Sequence, residues 1–135
     1  QIMVAAGYKI DLSNLEQKNH TIECRINAEN AKDFSPSPGT IKFINVPGGR
    51  GIRVDTALYT NYRVNPHYDS LVLKIISKGK DRNEAISIMK RALNEIIIDG
   101  INTNIELHKW ILNQKDFVNG IYNTNWLEKN ISKFN

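Results

Sequence analysis

The stretch "HTIECRINAE", residues 20–29, alternates apolar and polar side chains over most of its length. Its apolar positions are Ile22, Cys24, Ile26 and Ala28. Its polar positions are Thr21, Glu23, Arg25, Asn27 and Glu29. Because side chains in an extended chain point alternately to opposite faces, this period of two predicts a β-strand with one buried face. The pattern alone leaves two readings of the other face, a solvated surface or a wall beside a small polar ligand.

The segments that follow this strand predict further extended structure. "SPSPG" (35–39) marks a turn, because proline interrupts both helices and central strands. "TIKFINV" (40–46) and "IRVDTAL" (52–58) predict a hairpin-like pair of strands joined by "PGGRG" (47–51). "SLVLKIISKG" (70–79) is rich in aliphatic residues and predicts a strand that is buried on much of both faces.

Helical periodicity replaces this pattern after residue 79. A helix capped by Asp81 is predicted to run through residue 98 and to stop at "DG", residues 99–100. A second helix, capped by Asn102 or Thr103, carries apolar residues from 105 to 112. A final short helix is predicted within residues 123–134. Trp110 and Trp126 lie at helical spacing from apolar neighbours and are predicted to be core residues. Strands first and helices afterwards indicate an α+β fold, with antiparallel strands and hairpins packed against C-terminal helices.

Composition excludes several classes of protein. The 135 residues include 41% hydrophobic and 24% charged side chains, which is typical of a globular domain rather than a disordered one. No run approaches the ~20 apolar residues of a membrane span, and no signal peptide is recognised. The net charge of +4 is spread along the chain, so binding to nucleic acid is not expected. A single cysteine, Cys24, excludes an internal disulfide and favours a reducing compartment.

Motifs for common chemistry are missing from the sequence. No phosphate-binding loop is recognised, and "PGGRG" joins two predicted strands instead of opening a helix. The three histidines share no metal-ligand spacing, and no serine lies in a nucleophile elbow. Cys24 falls on the apolar face, which favours a core thiol over a nucleophile. The residues alone therefore indicate an α+β domain of undetermined function.

Three groups of candidate residues remain open in their interpretation. Glu23, Arg25, Asn27 and Glu29 could flank a ligand or simply face solvent. Asp69 follows a proline turn, where turn capping is the commoner role. Arg50 and Arg53, in and after the glycine turn, are either solvated charges or anchors of an interface.

Six segments, taken together and in order, carry a family resemblance. They are "HTIECRINAE" (20–29), "FSPSPGTI" (34–41), "PGGRGIRVD" (47–55), "YDSLVLKII" (68–76), "RALNEIIIDGINTN" (91–104) and "NWLEK" (125–129). This set resembles the C-terminal domain of biotin carboxylase, the ATP-grasp component of acetyl-CoA carboxylase and related biotin-dependent carboxylases. The resemblance implies that residues 1–18 are the end of a helix and a linker from an ATP-grasp core, and that residues 19–135 form the C-terminal domain.

The resemblance also implies a ligase activity. The reaction is the first half-reaction of acetyl-CoA carboxylase, which serves fatty-acid synthesis. In the family, ATP and bicarbonate give carboxyphosphate, whose decomposition delivers carbon dioxide to biotin on its carrier protein. ATP and Mg²⁺ or Mn²⁺ are held mainly by the ATP-grasp core, so no metal ligand is expected in this chain. The resemblance places Arg25 at the ureido oxygen of biotin, where a permanently cationic guanidinium would stabilise developing negative charge.

Other roles follow from the same resemblance. Asp69, Glu23, Asn27 and Glu29 are expected to support Arg25, with Asp69 pairing with it or orienting it. Arg50 and Arg53 are expected at the interface of a homodimer, and Thr124 near the adenine pocket. The expected partners are the ATP-grasp core, the biotin carboxyl carrier protein and a carboxyltransferase, in the cytoplasm or in an organelle stroma or matrix. This chain alone is not expected to be catalytic. Two alternatives stay open, namely the same domain of a pyruvate or propionyl-CoA carboxylase, and a non-enzymatic interaction domain.

Overall fold

The computed structural model describes residues 1–134, so Asn135, the last residue of the expected domain, lies outside the described part. The strands are β1 (His20–Asn27), β2 (Gly39–Thr40), β3 (Phe43–Asn45), β4 (Ile52–Thr56), β5 (Arg63–Val64), β6 (Leu71–Gly79) and β7 (Ile97–Asp99). The helices are α1 (Ile2–Ala5), α2 (Arg82–Glu95), α3 (Ile105–Leu112), α4 (Lys115–Val118) and α5 (Trp126–Asn130), and a 3₁₀ turn follows at Ile131–Lys133. This order confirms the predicted α+β class. Within residues 1–134, no helix is both long enough and apolar enough to cross a membrane.

The central sheet consists of three antiparallel strands in the order β1-β6-β4. Along β1 the exposure alternates as the sequence predicts, and Cys24 and Ile26 lie on the buried face. Helix α2 packs across this face and contributes Met89 and Leu93, which are both fully buried. A second, smaller cluster around Ile41 and Val64 lies beyond the end of the sheet.

Helix α2 begins where the sequence predicts. The carboxylate of Asp81 accepts a hydrogen bond of 2.9 Å from the backbone N–H of Glu84, which satisfies one of the free donors of the first turn. On strand β6 just before it, Ser77 is fully buried and donates to the carbonyl of Ala85 at 2.9 Å. These two bonds attach the start of α2 to the end of the sheet.

The predicted hairpin between residues 40–46 and 52–58 is wrong. Strand β3 pairs with β7, and β4 pairs with β6. Strand β6 is nine residues long and its inner face is covered by α2, so it is a better partner for β4 than β3, which has three residues. The turn between them is instead drawn toward α2, because Arg91 donates to the carbonyl of Gly48 at 3.1 Å.

The first long helix ends earlier than predicted. Ile96 has extended backbone angles, and Ile97–Asp99 form strand β7 where the sequence predicts the last helical turn. Three consecutive β-branched isoleucines favour extended backbone, and β3 supplies the partner. The predicted cap of the next helix is also displaced, because Asn104, not Asn102 or Thr103, holds the N-cap position of α3.

The predicted core position of the tryptophans is wrong. Trp110 and Trp126 are half-buried and lie with ring centroids 5.8 Å apart, in an aromatic cluster outside the main core. The two tryptophans lie on the short helices α3 and α5, whose apolar side chains are too few to enclose both indole rings. The short helix predicted within residues 123–134 is present as α5. Near the other end, α1 is followed by Gly7 at φ +89° and by residues that are exposed as far as Asn19.

Gly100 provides a test of this architecture. Its φ is +108°, and a Cβ atom there would lie 2.1 Å from the carbonyl oxygen of Thr40, so β7 and β2 can approach only around a glycine. We expect Gly100→Ala to lower the free energy of unfolding by about 3 kcal/mol or more, combining backbone strain with a steric clash. Urea denaturation measures this loss.

Gly120 is the matched control for that substitution. It also has a positive φ, +73°, but a Cβ atom would meet nothing within 4 Å among the described residues. Gly120→Ala should therefore cost only the backbone strain, about 1 kcal/mol. Equal losses for the two variants would show that the close approach at Thr40 is not a constraint on the fold.

Candidate functional site

The solvent-facing side of the central sheet carries a compact grid of charged residues, which we call the polar sheet face. It consists of two rows across β1, β6 and β4, namely Glu23–Ile76–Arg53 and Arg25–Lys74–Asp55. Residues directly opposite each other on antiparallel strands have Cβ atoms about 5 Å apart. The register of β1 on β6 therefore decides which charges meet on this face.

Arg25 has a like charge as its direct neighbour across the sheet, because the register places it opposite Lys74. On the far side of Lys74 lies Asp55, whose pKa is lowered first by its hydrogen bond from Arg53 and to a smaller extent by Lys74. Arg25 has a looser acidic partner, since its Nη2 atom lies 4.0 Å from Oδ2 of Asp69. Both members of that pair are about half exposed or more, at 52% and 77%, so the attraction is weak.

Two of the other polar residues of the β1 stretch, Asn27 and Glu29, are bonded to each other. The amide Nδ2 of Asn27 donates to Oε1 of Glu29 at 3.1 Å, and Ser70 Oγ donates to the other carboxylate oxygen at 3.3 Å. The Oδ1 atom of Asn27 is buried and has no hydrogen-bond partner within residues 1–134. The structure thus brings Asp69 to Arg25, while Asn27 and Glu29 form a neighbouring pair that ties the end of β1 to the start of β6.

The two interface candidates differ in their surroundings. Arg53 forms a two-pronged pair with Asp55, with Nε and Nη2 each 2.9 Å from a carboxylate oxygen, and this bond raises the pKa of Arg53. Arg50 is exposed in the glycine turn and borders a surface depression together with Lys78 and Glu84. Both arginines lie toward the β4 side of the domain, away from the end of β1 that carries Asn27.

The start of helix α3 reaches the edge of β1 at Arg25 through Asn104 and His108. The Nδ2 atom of Asn104 donates to the carbonyl of Arg25 at 3.2 Å, and Oδ1 of Asn104 accepts from the backbone N–H of Asn27 at 2.9 Å. The Nε2 atom of His108 lies 2.9 Å from the same carbonyl of Arg25. Since a carbonyl only accepts, Nε2 carries the proton in this arrangement.

Burial lowers the pKa of His108 below its ordinary value of 6.5. The bond to Arg25 and the charge of Glu29 act in the opposite direction and are smaller. The neutral imidazole is therefore favoured in the folded protein.

The remaining predicted residues lie apart from this cluster. Cys24 is buried as predicted, and burial raises the pKa of its thiol to about 12, so it is a core residue rather than a nucleophile. Thr124 is exposed just before α5. Within residues 1–134, no three His, Cys, Asp or Glu side chains lie close enough together to hold a metal ion.

The arrangement around Arg25 suits one kind of chemistry. Arg25 and Lys74 are two cations side by side, and the acidic partner of Arg25 in the described part of the chain is held loosely. Such a pair creates a site where negative charge on a ligand oxygen is favoured. A cleft of about 180 Å³ with a mixed polar and apolar lining includes Asp69 together with residues such as Leu58, Tyr62 and Val72. A small polar ligand with an apolar part fits these surroundings.

Sequence reasoning missed Lys74, Asn104 and His108. Lys74 is the charged residue in the middle of an aliphatic run, which is a signal that this strand has one solvent-facing side. Asn104 and His108 are separated by one helical turn, but nothing in their spacing indicates that they face β1.

Comparison with known proteins gives a consistent result. Residues 23–129 match the family described as the biotin carboxylase C-terminal domain. "Biotin carboxylase 1" of Bacillus subtilis is 50% identical over 131 residues, which are 95% of this chain and 29% of that protein. One of the pyruvate carboxylase subunits of Methanothermobacter thermautotrophicus is 46% identical over 132 residues, which are 96% of this chain and 27% of that protein. The chain thus spans less than a third of the length of these relatives.

A solved structure shows the same fold. The biotin carboxylase domain dimer of Hydrogenobacter thermophilus 2-oxoglutarate carboxylase, in complex with MgADP, ADP and bicarbonate, matches with a TM-score of 0.90 at 40% identity. The match covers 99% of this chain and 30% of that one.

The lowered pKa of His108 leads to a prediction for stability. Below pH 6.5 the unfolded chain binds a proton at this residue more readily than the folded chain does, so the free energy of unfolding should fall as the pH falls. Above pH 6.5 the residue is neutral in both states, so the free energy of unfolding carries no penalty from His108. We expect His108→Gln, which keeps a donor for the carbonyl of Arg25, to lose less stability on acidification than the unmodified protein does.

Urea denaturation at a series of pH values from 7.5 to about 5, a window around the ordinary histidine pKa, measures this difference. The other two histidines, His20 and His67, are the same in both proteins, so the comparison isolates the change at His108. Parallel curves for the two proteins would contradict the assignment.

Proposed function

Because this chain belongs to the biotin carboxylase C-terminal domain family, we propose that it is the C-terminal part of an enzyme that carboxylates biotin on a carrier protein with ATP and bicarbonate. The reaction is the first half-reaction of acetyl-CoA carboxylase, which serves fatty-acid synthesis. The chain by itself is not catalytic in this proposal, since it spans less than a third of the length of its relatives.

The observation that carries the proposal is the charge arrangement around Arg25. Its guanidinium lies on a strand held in register, faces Lys74, and has Asp69 as a loose partner at 4.0 Å. The donor set fits biotin, whose ureido group would supply the nitrogen that is carboxylated and an oxygen that gains negative charge. Arg25 stays cationic at any working pH and offers paired N–H donors, so it can hold that developing charge.

The supporting residues have separate tasks in this proposal. Asp69 limits the directions that the Arg25 guanidinium can take, since it attracts one edge of it. Asn27 and Glu29 hold the strand end through their mutual hydrogen bond and the bond from Ser70. Glu23 contributes one negative charge to the polar sheet face, on the same side of β1 as Arg25.

The nucleotide and the metal belong mainly to a different part of the enzyme. We place ATP, bicarbonate and Mg²⁺ or Mn²⁺ in the ATP-grasp core, and Thr124 near the adenine. A related Hydrogenobacter domain, of which this chain covers 30%, is crystallised with MgADP, ADP and bicarbonate. Residues 1–18 connect to that core, and the exposure of their apolar side chains, which include Ile2, Tyr8 and Leu15, supports a covered position there.

The remaining partners complete the proposal. Arg50 and Arg53 contact a second protomer in a homodimer, in line with the dimer formed by the Hydrogenobacter domain. The carrier protein brings biotin to Arg25, and a carboxyltransferase takes the carboxyl group onward. We place the enzyme in the cytoplasm, or in an organelle stroma or matrix.

A second acceptor class is favoured by one comparison. The similarity to a pyruvate carboxylase is nearly as high as that to a biotin carboxylase, at 46% against 50% identity. The same domain can therefore serve a pyruvate or propionyl-CoA carboxylase, since another domain chooses the acceptor. Sequencing the downstream gene or domain distinguishes these possibilities.

Arg25→Gln in the full-length enzyme tests the proposed role. We expect the rate of biotin carboxylation to fall by about 100-fold or more, because the contact acts on charge that develops during the reaction. The KM for ATP and for bicarbonate should stay close to the original values. The carboxylation rate of Arg25→Lys should lie between those of the unmodified enzyme and of Arg25→Gln, since lysine keeps the charge and loses the paired donors. Steady-state carboxylation of free biotin is the measurement.

Lys78→Gln is the matched control. Lys78 is exposed on the same side of β6 and lies opposite Thr21, four residues along β1 from Arg25. Its removal lowers the positive charge of this side of the sheet by the same amount and should leave carboxylation unchanged. Near-normal carboxylation by Arg25→Gln would refute the proposed role of Arg25.

A further inference from the structure

The backbone of β1 at Arg25 has no strand beside it on one side. Within residues 1–134, β1 is an edge strand of the central sheet, and β6 is its only neighbour there. The carbonyl of Arg25 and the N–H of Asn27 point away from β6, because their hydrogen-bond partners lie on α3. An edge strand without partners on that side is free to twist and shift, which would move the guanidinium of Arg25.

Asn104 takes the place of the missing strand. Its side-chain amide donates to the carbonyl of Arg25 at 3.2 Å and accepts from the N–H of Asn27 at 2.9 Å. Its own backbone N–H donates to the carbonyl of Asn27 at 3.4 Å. One residue thus satisfies three backbone groups of β1, in the way that a neighbouring strand would.

Asn104 gives up its usual local task to do so. Asparagine at an N-cap position normally accepts a hydrogen bond from the first turn of its own helix. Within residues 1–134, the side chain of Asn104 makes no such capping bond, although it holds the N-cap position of α3. Asn104 is only 6% exposed, and both polar atoms of its amide bond to β1.

The bonds of Asn104 straddle an irregularity in the strand. The register of β1 on β6 shifts between Ile26 and Asn27, which is a bulge or a similar break in the pairing. Bulges change the direction of nearby side chains and are common beside active sites. Asn104 bonds to Arg25, two residues before Asn27, and to Asn27 itself, so its hydrogen bonds bridge the break.

His108 adds a second contact from the next turn of α3. Its Nε2 atom lies 2.9 Å from the carbonyl of Arg25, which therefore accepts from two side chains of one helix. We propose that Asn104 and His108 are positioning residues that act through Arg25, holding its backbone so that the guanidinium is aimed at the ligand. This inference rests on the proposed function of Arg25.

The test uses the full-length enzyme with Asn104→Ala and, in case that variant folds poorly, the pair His108→Leu and His108→Gln. We expect Asn104→Ala to lower kcat for free biotin by about 10-fold to 100-fold, a typical effect of misplacing a reacting group. The KM for ATP should not change. His108→Leu should cause a smaller loss, and His108→Gln should restore most of it, because glutamine can donate to the same carbonyl.

Ser77→Ala is the control for a loss of stability. Ser77 is buried in the same sheet and its hydroxyl donates to the carbonyl of Ala85, so its removal weakens the fold without touching the edge of β1. Thermal unfolding is recorded for every variant. If Asn104→Ala loses no more carboxylation than Ser77→Ala does for an equal loss of stability, the inference is overturned.

A double-mutant cycle separates positioning from a general structural role. If Asn104 acts through Arg25, adding Asn104→Ala to Arg25→Gln should change the remaining rate by no more than about twofold. A further loss as large as that of the single variant would overturn the inference. If Arg25→Gln alone leaves carboxylation intact, the proposed function of Arg25 fails as well. If only Arg25→Gln lowers it, the function of Arg25 stands and the positioning role is overturned.

Discussion

The antiparallel pairing of β1 with β6 is the constraint on which the rest of the domain depends. It places Cys24 and Ile26 under α2 and, on the opposite side, Glu23 and Arg25 in solvent. A shift of the pairing by one residue would exchange the two faces and bury a guanidinium under a helix, at a cost the core could not offset. The same register that forms the core therefore also sets which residues stand beside Arg25.

That register brings Arg25 next to Lys74, which is a local conflict within a well-packed sheet. Like charges directly opposite each other destabilise an antiparallel pair by up to about 1 kcal/mol. Lys74 has Asp55 on its other side, whereas the acidic partner of Arg25 within residues 1–134 is Asp69, in a loose contact. Natural folds keep such conflicts mainly where function requires them. In our proposal, the charge that develops on the ligand relieves this repulsion, so the folded protein is complementary to the reacting state rather than to itself.

Sequence patterns predicted the parts of the fold that depend on local periodicity and local capping. The alternation of residues 20–28 predicted β1, and Asp81 together with the apolar spacing after it predicted the start of α2. The partners of β3 and β4 could not be predicted from local patterns. Pairing depends on which distant strand is already packed against a helix, as β6 is against α2. For the same reason the sequence predicts helix at Ile97 and Ile98 of strand β7, since the strand's partner β3 lies more than fifty residues earlier in the chain. The helical spacing of Trp110 from its apolar neighbours would be the same in a core or at the surface. Spacing therefore does not tell whether other parts of the chain surround the side chain.

The candidate site shows the same limit. Arg25 could be singled out because a family resemblance marked it, whereas its neighbours Lys74, Asn104 and His108 became visible only with the strand register and the position of α3. An edge strand explains why they occur together. A central strand has both sides bonded to other strands, so nothing else can adjust its backbone. At an edge, the free carbonyl and N–H groups can be held by side chains of a helix, and those side chains can set the strand geometry at a single residue. In our proposal, the position of Arg25 on a strand that is at the edge of the sheet within residues 1–134 lets side chains at the start of α3 set its direction, while the rest of the sheet remains regular.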